Sequence, residues 1–275
     1  MSKSVAIALG GGGARGLAHI AVLEALDEMG VRPVAISGTS IGSIIGAGYA
    51  AGMTGKELRR YAVDLLHNRA DVMRRLMRSR AGKLRSLFGG GFGDATRLNA
   101  EKLCNNFLPD EVPDDFNSLA IPLTVVASDL YSRTEVVITE GPLRRALAAS
   151  IALPTIIRPV VIDDRILIDG GATNPLPFDL LRGRADVVVA VEISGPPSAD
   201  KREVPNAIEC LYATVLVVTH SLIGEKLKQG APDLFIQPDV GSFRVLDFLR
   251  ASAILRVADP VKDEIKRRLA PLIDS

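Results

Sequence analysis

The chain has no tryptophan, only two cysteines and only three histidines among its 275 residues. The two cysteines, Cys104 and Cys210, are far apart, so a disulfide scaffold is not expected and a reducing compartment fits. So few cysteine and histidine side chains leave a structural zinc site almost without ligands. The sequence therefore predicts neither a disulfide-rich domain nor a metal centre.

An excess of one charge and a long apolar run are also missing. Lys+Arg 33 against Asp+Glu 32 gives a formal net charge of +1, and no basic excess points to nucleic acid. The N-terminus lacks the features of a secretory signal peptide. The best candidate for a membrane span, residues 211–223, is about half the length required and contains His220. We therefore expect a cytoplasmic protein that is not inserted into a membrane.

The composition is that of a globular α/β protein. Hydrophobic residues make up 47% and charged residues 24%, which excludes disorder as the main state. A strand, a glycine-rich turn and a helix follow one another twice within the first fifty residues, a pattern typical of parallel sheets. We expect one domain over residues 1–275. It would have a core at about 5–195, a helical, basic, lid-like insertion at about 55–118, and a helical C-terminal region at about 200–275.

Individual elements follow from apolar periodicity and from glycine and proline positions. The predicted strands are 4–9, 33–36, 123–128, 134–139, 160–163, 165–168 and 186–193. The predicted helices are 17–29, 41–51, 56–88, 99–108, 143–150, 204–229 and 258–269, with a loop at 89–93 and a linker at 195–198.

The sharpest motif is Gly38-Thr39-Ser40-Ile41-Gly42, which matches G-x-S-x-G between a predicted strand and a predicted helix. The glycines Gly38 and Gly42 permit a tight turn, and the turn holds the Ser40 hydroxyl at a helix N-terminus, where negative charge is favoured. Ser40 is therefore the candidate nucleophile. The alternative is an ordinary N-cap serine on a closely packed helix.

A second motif is the glycine run 10–16, which contains Arg15. Successive glycine amides at a helix start can bind an anion, and an oxyanion hole next to a nucleophile is one such site. A dinucleotide site is a competing interpretation, but no acidic residue ends the second strand, and no Gly-Lys-Ser/Thr completes a phosphate loop. A structural turn is the third. Arg15 would supply a cation to the anion or form a salt bridge. The candidate anion-binding residues are Gly11, Gly12, Gly13, Arg15 and Gly16.

A serine nucleophile needs a base, and two candidates stand out. His220 would complete the order Ser40, Asp169, His220 of a conventional triad, but it lies within an apolar helical run. Asp169 ends an apolar strand and precedes Gly170 and Gly171. A carboxylate bonded directly to the serine hydroxyl in a desolvated pocket can act as the base, and a plain turn is the alternative explanation of this segment.

These three motifs, in this order, resemble the patatin-like phospholipase family, particularly its short bacterial members. The resemblance runs from Ala6 to about Ile193 and includes the supporting stretches 127–130, 149–154 and 174–177. It implies a three-layer α/β/α sandwich with a mainly parallel sheet. It also implies cofactor-free hydrolysis of lipid acyl esters through an acyl-enzyme, with Ser40 as nucleophile, Asp169 as base and the amides around Gly11–Gly13 as oxyanion hole.

A basic stretch at 69–88 combines arginines with leucine, methionine and phenylalanine. It could contact an anionic membrane at its inner face while residues 67–98 act as a lid, or it could be a solvated helical face. Besides the dyad hydrolase, two functions stay open: a non-catalytic acyl- or anion-binding module of the same fold, and a triad hydrolase that uses His220. The sequence makes no prediction of oligomeric state.

Overall fold

The computed structural model describes residues 3–80, 97–195 and 207–274. The strands are β1 Val5–Leu9, β2 Ala35–Thr39, β3 Leu123–Asp129, β4 Glu135–Ile138, β5 Val160–Ile162, β6 Arg165–Asp169, β7 Val187–Val191 and β8 Leu234–Ile236. The α-helices are α1 Ala18–Glu28, α2 Ile41–Ala50, α3 Gly55–His67, α4 Arg69–Arg78, α5 Ala100–Phe107, α6 Leu143–Ser150, α7 Ala207–Lys228, α8 Ala251–Ala258 and α9 Val261–Ile273.

The strands form one mixed sheet in the order β5-β6-β3-β2-β1-β7-β8, with β4 paired to β3. The central neighbours β3, β2, β1, β7 and β8 run parallel, whereas β4, β5 and β6 join through antiparallel pairs. The carboxyl ends of β2 and β1 lie side by side, which brings the two glycine-containing turns that follow them to the same edge of the sheet.

Side chains alternate between the two faces of the sheet, as strand geometry requires. Val5, Ile7 and Leu9 of β1 enter the larger core, which helices α1, α2, α8 and α9 cover. Ala6 and Ala8 enter a second, smaller core, which includes Phe178 and Leu181 of a 3-10 turn and Ile223 of α7. Helical elements therefore lie on both faces, and the predicted three-layer α/β/α arrangement is confirmed.

The predicted elements agree with the structure at most positions, with the following differences. Strand β2 continues through Ser37, Gly38 and Thr39, which the sequence places in a turn, because those residues pair with β3. The long basic helix is two helices, α3 and α4, separated at Asn68, whose side chain caps α4. The predicted final helix, 258–269, corresponds to α9, whereas helix α8 and strand β8 are absent from the predicted elements. The glycine loop 89–93 and the linker residues 196–198 lie outside the described residues.

Candidate active site

Ser40 lies at the tight turn between β2 and α2. Its backbone has φ 54 and ψ −125, a left-handed region that a residue with a side chain rarely occupies. Two glycines make this turn possible, because a Cβ on Gly38 would lie 2.6 Å from the Ser43 Cα and one on Gly42 would lie 2.1 Å from the Leu9 carbonyl oxygen. The predicted strand–turn–helix context of the G-x-S-x-G motif is confirmed.

Ser40 and Asp169 are in direct contact. The Ser40 hydroxyl donates to Asp169 Oδ2 across 2.6 Å. The register of β3 explains the contact: Thr39, next to Ser40, pairs with Val126, and Asp169 pairs with the following residue, Ala127. Strand β3 thus brings together two residues that are far apart in the sequence.

The Asp169 carboxylate is buried, with 8% of the residue exposed. Burial raises the pKa of Asp169 to about 6, although the hydrogen bonds from Ser40 and from the Gly171 amide favour its charged form and act in the opposite direction. The Gly171 amide donates to Oδ1 across 2.8 Å. Gly170 has no room for a side chain, since a Cβ there would lie 2.3 Å from the Val126 carbonyl oxygen. A carboxylate whose pKa is close to neutral pH, and which accepts a hydrogen bond from a serine hydroxyl, can take the proton of that hydroxyl.

The glycine loop lies against the serine. A Cβ on Gly11 would be 3.4 Å from the Ser40 Cβ. The Gly11 amide donates to the Pro175 carbonyl across 2.9 Å, so it is not available as an oxyanion donor, which corrects that part of the prediction. Among the described residues, no acceptor is found for the amides of Gly12 and Gly13. These two donors stay candidates for binding an oxyanion.

Arg15 and Gly16, predicted as part of the anion site, have structural contacts instead. The Arg15 guanidinium is buried and donates to the carbonyl oxygens of Phe243 (2.7 Å), Ser194 (2.5 Å) and Gly241 (3.4 Å). A Cβ on Gly16 would lie 2.3 Å from the Ile41 side chain. Arg15 thus donates to the protein's own backbone carbonyls, which does not support its predicted place in the anion site, and Gly16 serves close packing of the loop on α2.

The histidines do not join the Ser40–Asp169 pair. The His220 ring, on α7, makes a 3.2 Å hydrogen bond with the Ser194 hydroxyl. His19 is fully buried in α1, burial lowers its pKa to about 4, and its Nε2 bonds the Gly10 carbonyl across 2.8 Å. A neutral ring can make that bond only with the proton on Nε2. His19 therefore packs in the helix and additionally holds the glycine loop.

Two serines next to the pair were not recognised as site residues from the sequence. The Ser150 hydroxyl accepts a hydrogen bond from the Ser40 amide across 2.9 Å. The Ser128 hydroxyl donates to the Asp169 carbonyl across 3.0 Å. Both are buried serines in stretches that the family resemblance includes, 149–154 and 127–130. That inclusion is the only sequence signal for them, since their partners are distant in the chain.

The basic helix α4 has an exposed face that is both apolar and cationic. Met73 and Met77 are 56% and 57% exposed. Arg74 and Arg78 are exposed beside them, and Arg74 forms a 2.5 Å ion pair with Asp71. Only Val72 of this helix is buried. The remainder of the predicted basic stretch, from residue 81 onward, lies outside the described residues.

The described ranges contain neither a membrane-spanning helix nor a metal-binding cluster of side chains. No helix within residues 3–80, 97–195 and 207–274 is long and apolar enough to cross a membrane. The same ranges contain no group of three or more histidine, cysteine, aspartate or glutamate side chains arranged to hold a metal ion.

Comparison with known proteins identifies the family. The family model of the patatin-like phospholipases matches residues 7–182, which contain the glycine loop, Ser40 and Asp169. The chain belongs to the patatin-like phospholipase family. An uncharacterised NTE family protein of Mycobacterium tuberculosis is 38% identical over 203 residues, which are 74% of this chain and 52% of that relative. The chain thus spans about half the length of that patatin-like relative.

Longer and more distant members of the family align over more of the chain. The human patatin-like phospholipase domain-containing protein 6 is 28% identical over 272 residues, 90% of this chain and 19% of that protein. Among solved structures, VipD from Legionella pneumophila has a TM-score of 0.50 and 13% identity, covering 96% of this chain and 67% of VipD. At that identity the likeness concerns the patatin-like fold alone.

Proposed function

We propose that this chain is a serine acyl-ester hydrolase of the phospholipase A, lysophospholipase or carboxylesterase type. The observation that carries the proposal is the 2.6 Å hydrogen bond from the Ser40 hydroxyl to the Asp169 carboxylate. A nucleophile bonded directly to a buried base needs no third residue to remove its proton. Membership of the patatin-like phospholipase family supports lipid acyl esters as the substrate class.

In the acylation step, the Ser40 oxygen forms a bond to the ester carbonyl carbon while its proton passes to Asp169 Oδ2. The carbonyl π electrons move to the oxygen, which becomes an oxyanion. When the carbonyl re-forms, the bond from carbon to the alcohol oxygen breaks, and the leaving alcohol takes the proton from Asp169. The products of this step are a free alcohol or lysolipid and an acyl ester on Ser40.

In the deacylation step, Asp169 accepts a proton from a water molecule, whose oxygen attacks the acyl carbon. Collapse of the second tetrahedral intermediate breaks the bond to Ser40, and Asp169 returns its proton to the serine oxygen. The fatty acid leaves, and both residues regain their starting protonation states. Asp169 thus acts as base and acid in each half of the reaction.

The developing oxyanion would be held by the glycine loop. The amides of Gly12 and Gly13 are donors without an acceptor in the described protein, and Gly11 packs directly against the Ser40 side chain. Fixed backbone donors next to the nucleophile stabilise charge that appears only in the transition state. Gly13 has φ 62, so glycine is also the residue that fits this backbone.

The exposed face of α4 is the proposed contact with an anionic membrane at the cytoplasmic side. Exposed methionines at positions 73 and 77 alternate with arginines at 74 and 78 on neighbouring turns. Shallow insertion of the methionines and attraction of the arginines to anionic headgroups would act together. A cosedimentation assay tests this. We expect binding to vesicles with about a third anionic lipid that weakens when Arg74 and Arg78 become Glu, and equal binding by the variant would refute the contact.

The hydrolase proposal is tested by labelling and turnover together. A fluorophosphonate should form an adduct on Ser40, located by mass spectrometry, and p-nitrophenyl esters of graded chain length should be hydrolysed. Ser40→Ala and Asp169→Asn should each reduce turnover by a factor of about a thousand or more, as loss of a nucleophile or base does in other hydrolases. Ser37→Ala is the matched control, because Ser37 is a buried β2 serine that donates to the Pro177 carbonyl and does not touch the pair.

The competing proposal is a non-catalytic acyl- or anion-binding module. It predicts no adduct and no turnover with folded protein, even in the presence of anionic vesicles. Saturable binding of a fatty acid under those conditions, lost when Gly12 is replaced by a bulkier residue, would favour it over the hydrolase.

A further inference from the structure

One short segment at the C-terminal end of α6 contacts the backbone of both members of the proposed pair. The Ser150 hydroxyl accepts from the Ser40 amide across 2.9 Å, and the Ala152 carbonyl accepts from the Asp169 amide across 3.1 Å. Ser150 and Ala152 are separated by a single residue, and both are fully buried. The two residues that would exchange a proton are therefore attached to the same three-residue segment.

The Ser150 hydroxyl is itself fixed in orientation. It donates to the Val126 carbonyl across 2.6 Å, and so its lone pairs face the Ser40 amide. Val126 is the β3 residue that pairs with Thr39, immediately before the nucleophile. A continuous chain of hydrogen bonds thus runs from β3 through Ser150 to Ser40.

The Ser40 amide has a particular need for this acceptor. With φ 54, Ser40 departs from the extended geometry of β2 and from the helical geometry of α2. Its amide therefore turns away from the ladder and is satisfied by a side chain, whereas its carbonyl accepts from the Ser43 amide at the start of the helix. A buried amide without an acceptor would favour a different turn conformation.

We propose that Ser150 is a positioning residue that holds the elbow turn in the conformation in which the Ser40 hydroxyl reaches Asp169. It touches neither substrate nor the reacting atoms, and it acts through the Ser40 backbone. The role of Ser150 in turnover rests on the proposed hydrolase function. Its structural part, the restraint on the Ser40 amide, does not.

Rotation of the turn would change the position of the nucleophile more than that of the base. Asp169 keeps its hydrogen bonds from Gly171 and to Ala152, whereas Asp169 is the one hydrogen-bond partner of the Ser40 side chain within the described part of the chain. Misplacement of a reacting group by about 1 Å can cost on the order of a hundredfold in rate. Loss of the Ser150 hydroxyl should therefore reduce kcat and leave substrate binding unchanged.

The test compares Ser150→Ala with Ser37→Ala. Each removes one buried serine hydroxyl that donates to a backbone carbonyl, to Val126 or to Pro177 respectively, but only Ser150 also accepts from the Ser40 amide. We expect kcat for a soluble ester to fall ten- to a hundredfold in Ser150→Ala, at unchanged KM. In Ser37→Ala, kcat should stay within about threefold of the wild-type value. If Ser150→Ala does not fold, Ser150→Cys, of similar size and with a weak acceptor, should give the same pattern.

A second readout does not depend on catalysis. In hydrogen exchange, the amide of Ser40 should exchange at least tenfold faster in Ser150→Ala than in the wild type, whereas Ser37→Ala should leave it unchanged. Unaltered exchange overturns the proposal whether or not the protein is a hydrolase. Faster exchange with an unchanged kcat overturns the positioning role alone, and a wild type that forms no fluorophosphonate adduct overturns the proposed function but leaves the exchange result as the test of the restraint.

Discussion

The Ser40 hydroxyl and the Asp169 carboxylate share a 2.6 Å hydrogen bond, although 129 positions separate the two residues in the chain. Strand β3 accounts for the meeting, because consecutive residues of that strand pair with Thr39 and with Asp169. The carboxylate is buried, and burial raises its pKa to about 6, so the protein environment shifts the pH range over which Asp169 ionises. Several measurable consequences depend on this pair and on the loops that pack around it.

The activity of the proposed hydrolase should rise with pH through about 6. Burial raises the pKa of Asp169 to about 6, and only the ionised carboxylate can take the serine proton. We expect kcat/KM for a neutral ester to increase about tenfold per pH unit below that value and to level off above it. Circular dichroism at each pH is the control for unfolding. A profile that is flat from pH 5 to 8 would contradict a base with this pKa.

Asp169→Asn should be inactive but more stable than the wild type at pH 7.5. The raised pKa means that the folded protein binds more protons than the unfolded chain between about pH 4 and 6, so stability falls as pH rises through that window. A shift from 3.8 to about 6 corresponds to at most about 3 kcal/mol of the free energy of unfolding. Urea unfolding should show a gain of about 1–3 kcal/mol at pH 7.5 that shrinks towards pH 4. An Asp169→Asn variant that is less stable than the wild type at pH 7.5 would contradict a free-energy cost for burying the ionised carboxylate.

His220→Ala separates the dyad from a triad. The His220 ring bonds the Ser194 hydroxyl, while Ser40 bonds Asp169 directly. We expect turnover within about threefold of the wild type, in contrast to a loss of about a millionfold when a triad histidine is removed. The measurement is kcat/KM at pH 8, with the melting temperature as control. Near-complete loss of turnover in a protein that melts normally would restore the triad hypothesis.

Two glycines of the same helix should respond differently to alanine. At Gly42 a Cβ would lie 2.1 Å from the Leu9 carbonyl oxygen, whereas at Gly46 the nearest atom, Ile36 Cγ2, is 3.2 Å away. Gly42→Ala should lose more than about 3 kcal/mol of stability or fail to fold, because backbone must move. Gly46→Ala should change stability by less than about 1 kcal/mol, since better helix propensity offsets mild crowding. Equal melting temperatures for the two variants would show that the backbone around Gly42 can move enough to accept a Cβ.

Arg15→Ala should be destabilising by about 2–4 kcal/mol, since it removes the donor for three buried or half-buried carbonyl oxygens. Lysine at this position should not restore stability, because a single ammonium cannot reproduce the planar guanidinium fork. Chemical denaturation measures both. Arg74→Ala is the matched control, as Arg74 makes an exposed ion pair with Asp71 and should contribute less than about 1 kcal/mol. A loss for Arg15→Ala no larger than for Arg74→Ala would show that the guanidinium bonds add little.

Local sequence patterns predict most of the strands and helices along the chain, and they predict the elbow, but they do not predict the order of the strands in the sheet. G-x-S-x-G at a predicted strand–helix junction identifies Ser40 from the local sequence, although the contact that excludes a side chain at Gly42 is with Leu9, which is distant in the chain. The strand ending at Asp169 is equally local, and the family resemblance supplied its connection to Ser40.

The features that sequence reasoning missed depend on partners distant in the chain. The Gly11 amide donates to the Pro175 carbonyl, and the Arg15 guanidinium donates to carbonyls near residue 243. The Ser150 hydroxyl accepts from the Ser40 amide. A glycine or an arginine in a loop can equally well bind a ligand or the protein itself. Only the register of β3 and the course of the C-terminal segment distinguish these possibilities.

The C-terminal segment around residues 243–245 has a consequence for transferring this fold to another protein. The Ala14 amide donates to the Val245 carbonyl across 2.8 Å, and the neighbouring arginine holds the segment at Phe243, about sixty residues beyond the region that the family model matches. The glycine loop beside Ser40 is thus held in place by residues 243–245, which lie outside the region that the family model matches. Grafting residues 7–182 into another protein would transfer Ser40 and Asp169. It would omit the segment at residues 243–245 that holds the glycine loop beside them.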